Sequence, residues 1–222
     1  MHRTAFAAVA LLATLVAQPA CASLVQAGTR GAITADYTVD WGVFGAEFTV
    51  VGSGADFGPG VLSGASAYTV FSGSTYNADF LPANNVLALY DASFNPIGGT
   101  FKITFDNPVQ SAGAQVQANS FGAFSGVITA FNSGGTSLGS FAIGGNNNGT
   151  GDGSAVFAGL ISNALDIKSI EFSGFGAGAA INFLSVDSIF ATGGNIPEPP
   201  ALLAAITYLG LMAAVARRRR QP

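Results

Sequence analysis

The residues in this chain able to do chemistry are few and mostly acidic. In TADYTVDWG, residues 34–42, Asp36 and Asp40 flank Tyr37 and adjoin Trp41. Two carboxylates roughly 5 to 9 Å apart would suit glycoside hydrolysis, although sequence spacing does not fix that distance. The same cluster suits sugar binding, which needs a flat aromatic face beside polar groups that read hydroxyls. Trp41 and Tyr37 are therefore candidate glycan-binding residues, with Tyr68, Tyr76 and Tyr90 as further aromatics. Trp41 also has a plainer reading as a core or rim aromatic.

Other chemistries are excluded by what is missing. The only histidine is His2 and the only cysteine is Cys21, both inside the first 22 residues. Without imidazole or thiol beyond that point, Ser-His-Asp and Cys-His catalysis, His-ligated zinc and disulfides all fall away. Residues 23–195 hold eleven acidic side chains against Arg30, Lys102 and Lys168, a net charge near −8. The whole chain stands at −4 because arginines at its end offset the acids. Nucleic acid is not an expected partner of such a surface.

The elements that must position these residues read as strands. In GTFKITFD, residues 99–106, Phe101, Ile103 and Phe105 alternate with Thr100, Lys102, Thr104 and Asp106, the period of a half-buried strand. Similar runs occupy 47–51, 67–71, 86–90, 115–118, 155–161, 168–172 and 182–190. In residues 126–143 two more flank Asn132-Ser133-Gly134-Gly135-Thr136, which reads as a hairpin. About ten short strands with no long helix imply two antiparallel sheets face to face, a jelly-roll-like β-sandwich over residues 23–195. Phe makes up 18 residues of the chain, and rings of that size can fill the space between sheets without disulfides. No fixed internal period marks a repeat array, and no Thr-x-Thr array marks an ice-binding face.

The two ends are different in kind. Residues 1–22 carry His2 and Arg3, an apolar run from Ala5 to Ala17, and the small residues Ala20, Cys21 and Ala22. This is the pattern of a signal helix cut after Ala22. Cys21 also invites a lipoprotein reading, but Gln18 stands where those signals usually have Leu. At the other end, residues 196–220 run through Pro197, Glu198 and Pro199, an uncharged stretch from Ala201 to Ala216, and Arg217, Arg218, Arg219 and Arg220. Sixteen helical residues span about 24 Å, enough for a transmembrane helix if the arginines snorkel and the bilayer thins. The arginines would stay cytoplasmic and the body would face outward. A buried core helix and a stiff spacer before a permanent anchor are the alternative readings.

Pro197-Glu198-Pro199, a short apolar helix and a terminal arginine cluster, behind a signal peptide, closely resemble the PEP-CTERM sorting signal of Gram-negative bacteria. The resemblance implies that the tail is a temporary inner-membrane anchor recognised by an exosortase. That enzyme is thought to cleave near the Pro-Glu-Pro and transfer the protein to the exterior, often alongside exopolysaccharide production.

A second resemblance covers much of the body. Residues 103–118, 128–141, 155–162, 167–174 and 183–194 look like the strands of secreted bacterial β-sandwich domains that often precede such tails, similar in layout to carbohydrate-binding jelly rolls. That implies binding or matrix association without a reaction. It also implies a candidate structural calcium, with Asp187 on the last strand joined by Glu47 or Asp40 from an early one; calcium wants six to eight oxygens. In that reading Leu184, Val186 and Phe190 face the core, while Asp187 shares the other face with Phe183, Ser185 and Ile189. GGNNNGTGDG, residues 144–153, with Asp152 and its amide oxygens, is the second candidate, with a plain polar turn as its ordinary reading. The resulting expectation is an exported, non-enzymatic surface or matrix protein without a required cofactor. A carbohydrate-binding module and then a carboxylate-dependent glycosidase are the alternatives.

Overall fold

The computed structural model describes residues 23–76, 78–176 and 184–193. The expected signal helix with Ala20 and Ala22, and the sorting tail with its Pro-Glu-Pro and arginines, lie outside the described residues. Thirteen strands are present among those described: β1 Leu24–Ala27, β2 Tyr37–Val39, β3 Val50–Gly52, β4 Gly60–Ser63, β5 Ala67–Ser72, β6 Asn85–Ala88, β7 Phe101–Val109, β8 Ser111–Ala118, β9 Gly122–Phe131, β10 Ser137–Asn147, β11 Val156–Ser162, β12 Ile167–Gly176 and β13 Leu184–Thr192. They form two antiparallel sheets. The larger runs β1-β11-β8-β13-β6-β5-β3, with β2 also on β13, and the smaller runs β10-β9-β12-β7-β4. The only helical elements described are short 3-10 turns at Arg30–Ala32 and Trp41–Phe44.

One core lies between the sheets, and it closes because large side chains meet small ones. Phe101, Ile103 and Phe105 of β7, Ile128 of β9 and Phe172 of β12 are buried from one side. β8 answers from the other with Ala112, Ala114, Val116 and Ala118, all in the same cluster. Trading bulk across facing positions keeps the interior dense without voids. The alternation read in residues 99–106 is therefore observed, with its apolar residues fully buried.

The expected hairpin at 126–143 is present. Asn132 Oδ1 accepts from the N–H groups of Gly134 (3.0 Å) and Thr136 (2.9 Å), while Gly135 takes φ 77°. Such a left-handed position is easy for glycine alone. The strand expected at 47–51 is cut short to Val50–Gly52, because Phe48 sits at φ 69° and turns the chain.

The larger sheet also buries side chains on its outer face. Gly113 and Gly159 are paired across β8 and β11, and a Cβ on Gly113 would meet the Gly159 Cα at 2.7 Å and the Phe157 ring at 2.8 Å. That bare backbone lets Phe157 pack with Ile33, Ala27 and Phe190. Arg30 lies over the Phe190 ring at 4.1 Å.

Candidate functional site

The residues singled out as candidate glycan and metal ligands meet at one place, and there they form a structural joint. β13 pairs with β8 along one edge; its other edge is shared between β6, at Ser185 and Val186, and β2, at Ile189 to Ala191. Between the two partners the register shifts. The bulge reverses the alternation, so Ile189 and Ala191 join Leu184 and Val186 in the main core and Phe190 turns outward. The expected grouping of Phe190 with the core and Ile189 with Asp187 is corrected accordingly.

Trp41 fills the gap. It is fully buried, and its Nε1–H donates to the carbonyls of Val186 (2.9 Å) and Asp187 (3.0 Å). Its ring meets Phe57 and Phe101 edge-on and stacks on Phe44. It cannot offer a face to a sugar, so its glycan-binding role is withdrawn and its core reading stands. Tyr68 is likewise buried, its hydroxyl donating to the Ser63 carbonyl and accepting from the Ala65 N–H.

Tyr37 lies half-buried in a cleft of about 210 Å³ with Asp40, Val43 and Phe57. Burial, then the nearby charges of Asp106 and Asp36, push its phenol up to about 12.

The Asp187 carboxylate is engaged within the protein. Its Oδ2 accepts from Asn84 Nδ2 and its Oδ1 from the N–H and Oγ of Ser188, so three of its about four acceptor positions are already taken by the protein. Burial raises its carboxyl above the ordinary value, opposed by the Ser188 and Asn84 hydrogen bonds and helped by Asp40. Glu47 is engaged apart, accepting from the Ser72 N–H and the Thr75 hydroxyl. Asp40 Oδ1 takes the Gly42 N–H and Asn85 Nδ2, both at 2.7 Å. Among the described residues no three His, Cys, Asp or Glu side chains gather as a metal site would require.

The 144–153 segment is not a free turn, because Asp79 holds it. Asp79, fully buried, accepts from Gln117 Nε2 (2.7 Å), the Asn148 N–H (3.0 Å) and the Thr150 N–H (2.9 Å). Its own N–H donates to Gln117 Oε1 at 2.8 Å. A carboxylate with this many donors is tolerated in the interior, and it pins the loop to the sheet. Asp152 is exposed, and hydrogen bonds from Ser154 hold its carboxyl below the ordinary value.

The pinned loop forms one wall of a cleft of about 520 Å³, lined by Ser74, Thr75 and Tyr76 on one side and Gly149, Thr150 and Gly151 on the other. Leading to it is a chain of rings. Phe94 meets Phe48 at 5.4 Å, Phe48 meets Phe71 at 5.8 Å, and Phe71 meets Tyr76 at 5.1 Å. Phe48 and Phe94 are about half exposed, at 50% and 47%. They are also the only non-glycine residues at positive φ among those described, at 69° and 57°.

A bulky residue in that region costs about 1 to 2 kcal/mol and persists only where the surroundings impose it. The surroundings do so here. Asp91 Oδ1 accepts from the N–H groups of Ser93 (2.8 Å) and Asn95 (2.9 Å), closing a turn around Phe94. The Phe48 N–H donates to the Val70 carbonyl at 2.7 Å. Neither phenylalanine stood out in the sequence; the one available signal was Phe94 set among the turn formers of DASFNP.

No family model matches the chain, and no curated protein matches it. Among solved structures, CsCBM6-3 from Clostridium stercorarium in complex with cellobiose is similar over 68% of this chain and 99% of that one, at 18% identity and a TM-score of 0.32. The enzymatically active domain of bacteriophage CBA120 tailspike protein 4 is similar over 78% of this chain and 19% of that one, at 11% identity and a TM-score of 0.19. Likeness at that level bears on neither ligand nor reaction.

Proposed function

We propose that this is an exported, non-enzymatic protein of the cell surface or extracellular matrix of a Gram-negative bacterium, whose sandwich adheres to an uncharged polysaccharide. The observation that carries the adhesive reading is the half-exposed Phe48–Phe94 corner, joined through the Phe71 and Tyr76 rings to the wall of the cleft lined by Ser74, Thr75 and Thr150. Aromatic faces take the C–H surface of a sugar, while hydroxyls and backbone groups read its polar edge. Charge supports a neutral ligand. The cations of the body are placed elsewhere: Arg30 on Phe190, Lys102 over Phe131, and Lys168 on the Asp106 carbonyl. The acids Glu47 and Asp91 flank the corner through their bonds to Thr75 and Asn95.

The chain crosses between sheets from β3 to β4, β4 to β5, β6 to β7, β7 to β8, β8 to β9, β10 to β11, β11 to β12 and β12 to β13. We read this as a jelly roll, an architecture that leaves strand-end loops free for binding. Export rests on the two termini: a signal peptide removed after Ala22, and a tail with Pro197, Glu198, Pro199 and Arg217–Arg220 handled by an exosortase at the inner membrane. The intact mass of the recovered protein tests it. A product beginning at Ser23 and ending near Pro197 is expected, and a full-length cytosolic product would contradict it. Binding is tested by sedimenting the protein with the neutral polysaccharide fraction of the producing cells, beside a Phe48→Gly/Phe94→Gly variant.

A further inference from the structure

β10 is the longest strand described and forms one edge of the smaller sheet, pairing only with β9 among the described residues. An edge of this kind presents unpaired N–H and C=O groups, and proteins usually blunt it with lysine, proline or a bulge. SLGSFAIGGNN has no charge and no proline, and its one register shift, between Ser137 and Gly139, lies at its start. β1 covers part of the edge with two side chains: Gln26 Nε2 donates to the Ala142 carbonyl at 3.3 Å, and Leu24 lies 3.1 Å from where a Cβ on Gly139 would stand. The Ala142 carbonyl therefore points away from β9. Along an antiparallel strand, the backbone groups of Ser140, Gly144 and Asn146 share its direction. All four of these residues are exposed.

Charge selects the partner. From Asn107 to Gly151 the chain has no charged residue, whereas the body as a whole carries eleven acids against three cations. Two copies repel over most of their surfaces and approach with least repulsion along this segment. A charged peptide would find no complement on it. An identical antiparallel strand sets small, uncharged side chains opposite one another about a two-fold axis, which is the self-complementary contact most homodimers use.

We propose that β10 is a self-association edge: two copies pair antiparallel through Ser140–Asn146 and join their five-stranded sheets into one of ten strands, displacing Gln26. This goes beyond the polysaccharide reading and does not depend on it. Analytical ultracentrifugation of the full chain in mild detergent, which keeps the apolar termini soluble, tests it. The wild type is compared with Ser140→Lys/Ala142→Lys, whose changes are at exposed positions, and with Gln26→Ala, which sits on another strand.

Concentration-dependent dimers are expected for the wild type. The double-lysine variant should raise the dissociation constant at least about tenfold and Gln26→Ala should lower it. Amides of residues 140–146 should exchange more slowly as concentration rises. A wild type monomeric at every concentration, or association equal in all three proteins, would overturn the proposal. Should the lysine variant fail to fold, Gln26→Ala and the exchange data still decide.

Discussion

The indole N–H of Trp41 is bonded to the backbone of Asp187, at 3.0 Å from its carbonyl oxygen and 2.9 Å from that of Val186. The bulge in β13 frees these carbonyls where β2 and β6 part, and a buried carbonyl without a donor is costly. Trp41 is thus the rivet of a split sheet edge. Trp41→Phe keeps a ring but leaves the carbonyls bare and opens a small void, so a loss of about 2 to 4 kcal/mol is expected in chemical denaturation. Polysaccharide binding by the folded fraction should be unchanged.

Asp187 gives the joint a pH dependence. Its carboxyl is raised above 3.8, chiefly by burial. The folded state then binds this proton more tightly than the unfolded chain, and stability falls as pH rises through the interval between the two values. Asp187→Asn removes the titrating group. Thermal melts from about pH 4 to about pH 7 should show a flatter profile for the variant, with its relative gain largest at the neutral end. A variant with the same slope as wild type would contradict this.

Asp79 should govern the order of the cleft wall. Asp79→Ala strands the Gln117 amide and the N–H groups of Asn148 and Thr150, at an expected cost of about 2 to 4 kcal/mol. Exchange at the Asn148 and Thr150 amides should accelerate before that of the core strands, and Asp79→Asn should be milder. Uniform acceleration across the sandwich would argue against a local pin.

Phe48 and Phe94 separate stability from binding. Glycine at either position relieves about 1 to 2 kcal/mol of backbone strain while removing ring contacts of about 0.5 to 1.5 kcal/mol each. Melting of Phe94→Gly should therefore lie within about 1 kcal/mol of wild type even as adhesion is lost. Acid should loosen the same turn. The Asn95 backbone N–H foremost, with the Asn95 side chain and the Ser93 N–H, holds the Asp91 carboxyl below 3.8. Its support is present above that value and fades as pH falls through the lowered one.

Period-2 alternation made β7, the β9–β10 hairpin and most central strands legible in the sequence, because one buried face imposes it. β1, β2 and β4 are three or four residues long and leave too little pattern to read. The bulge in β13 was invisible, since parity along a strand says nothing of an inserted residue, and it misplaced both Ile189 and Phe190. Of the candidate site, the polar loop, Tyr76 and Glu47 were legible in the sequence, though not that they would meet. Trp41 and Asp187 attracted attention for their chemistry, yet both are buried and bonded internally, Trp41 to two carbonyls and Asp187 to Asn84 and Ser188. Apart from the turn formers around Phe94, nothing in the sequence separates Phe48 and Phe94 from the other phenylalanines, and only backbone geometry sets them outside the core.

The most direct test of the adhesive corner is affinity electrophoresis through gels containing the neutral exopolysaccharide fraction, run on wild type and Phe48→Gly/Phe94→Gly at matched folded concentration. Retarded wild type and a variant weakened at least about tenfold is the expected result. Equal retardation of both proteins, or retardation of neither, would contradict it.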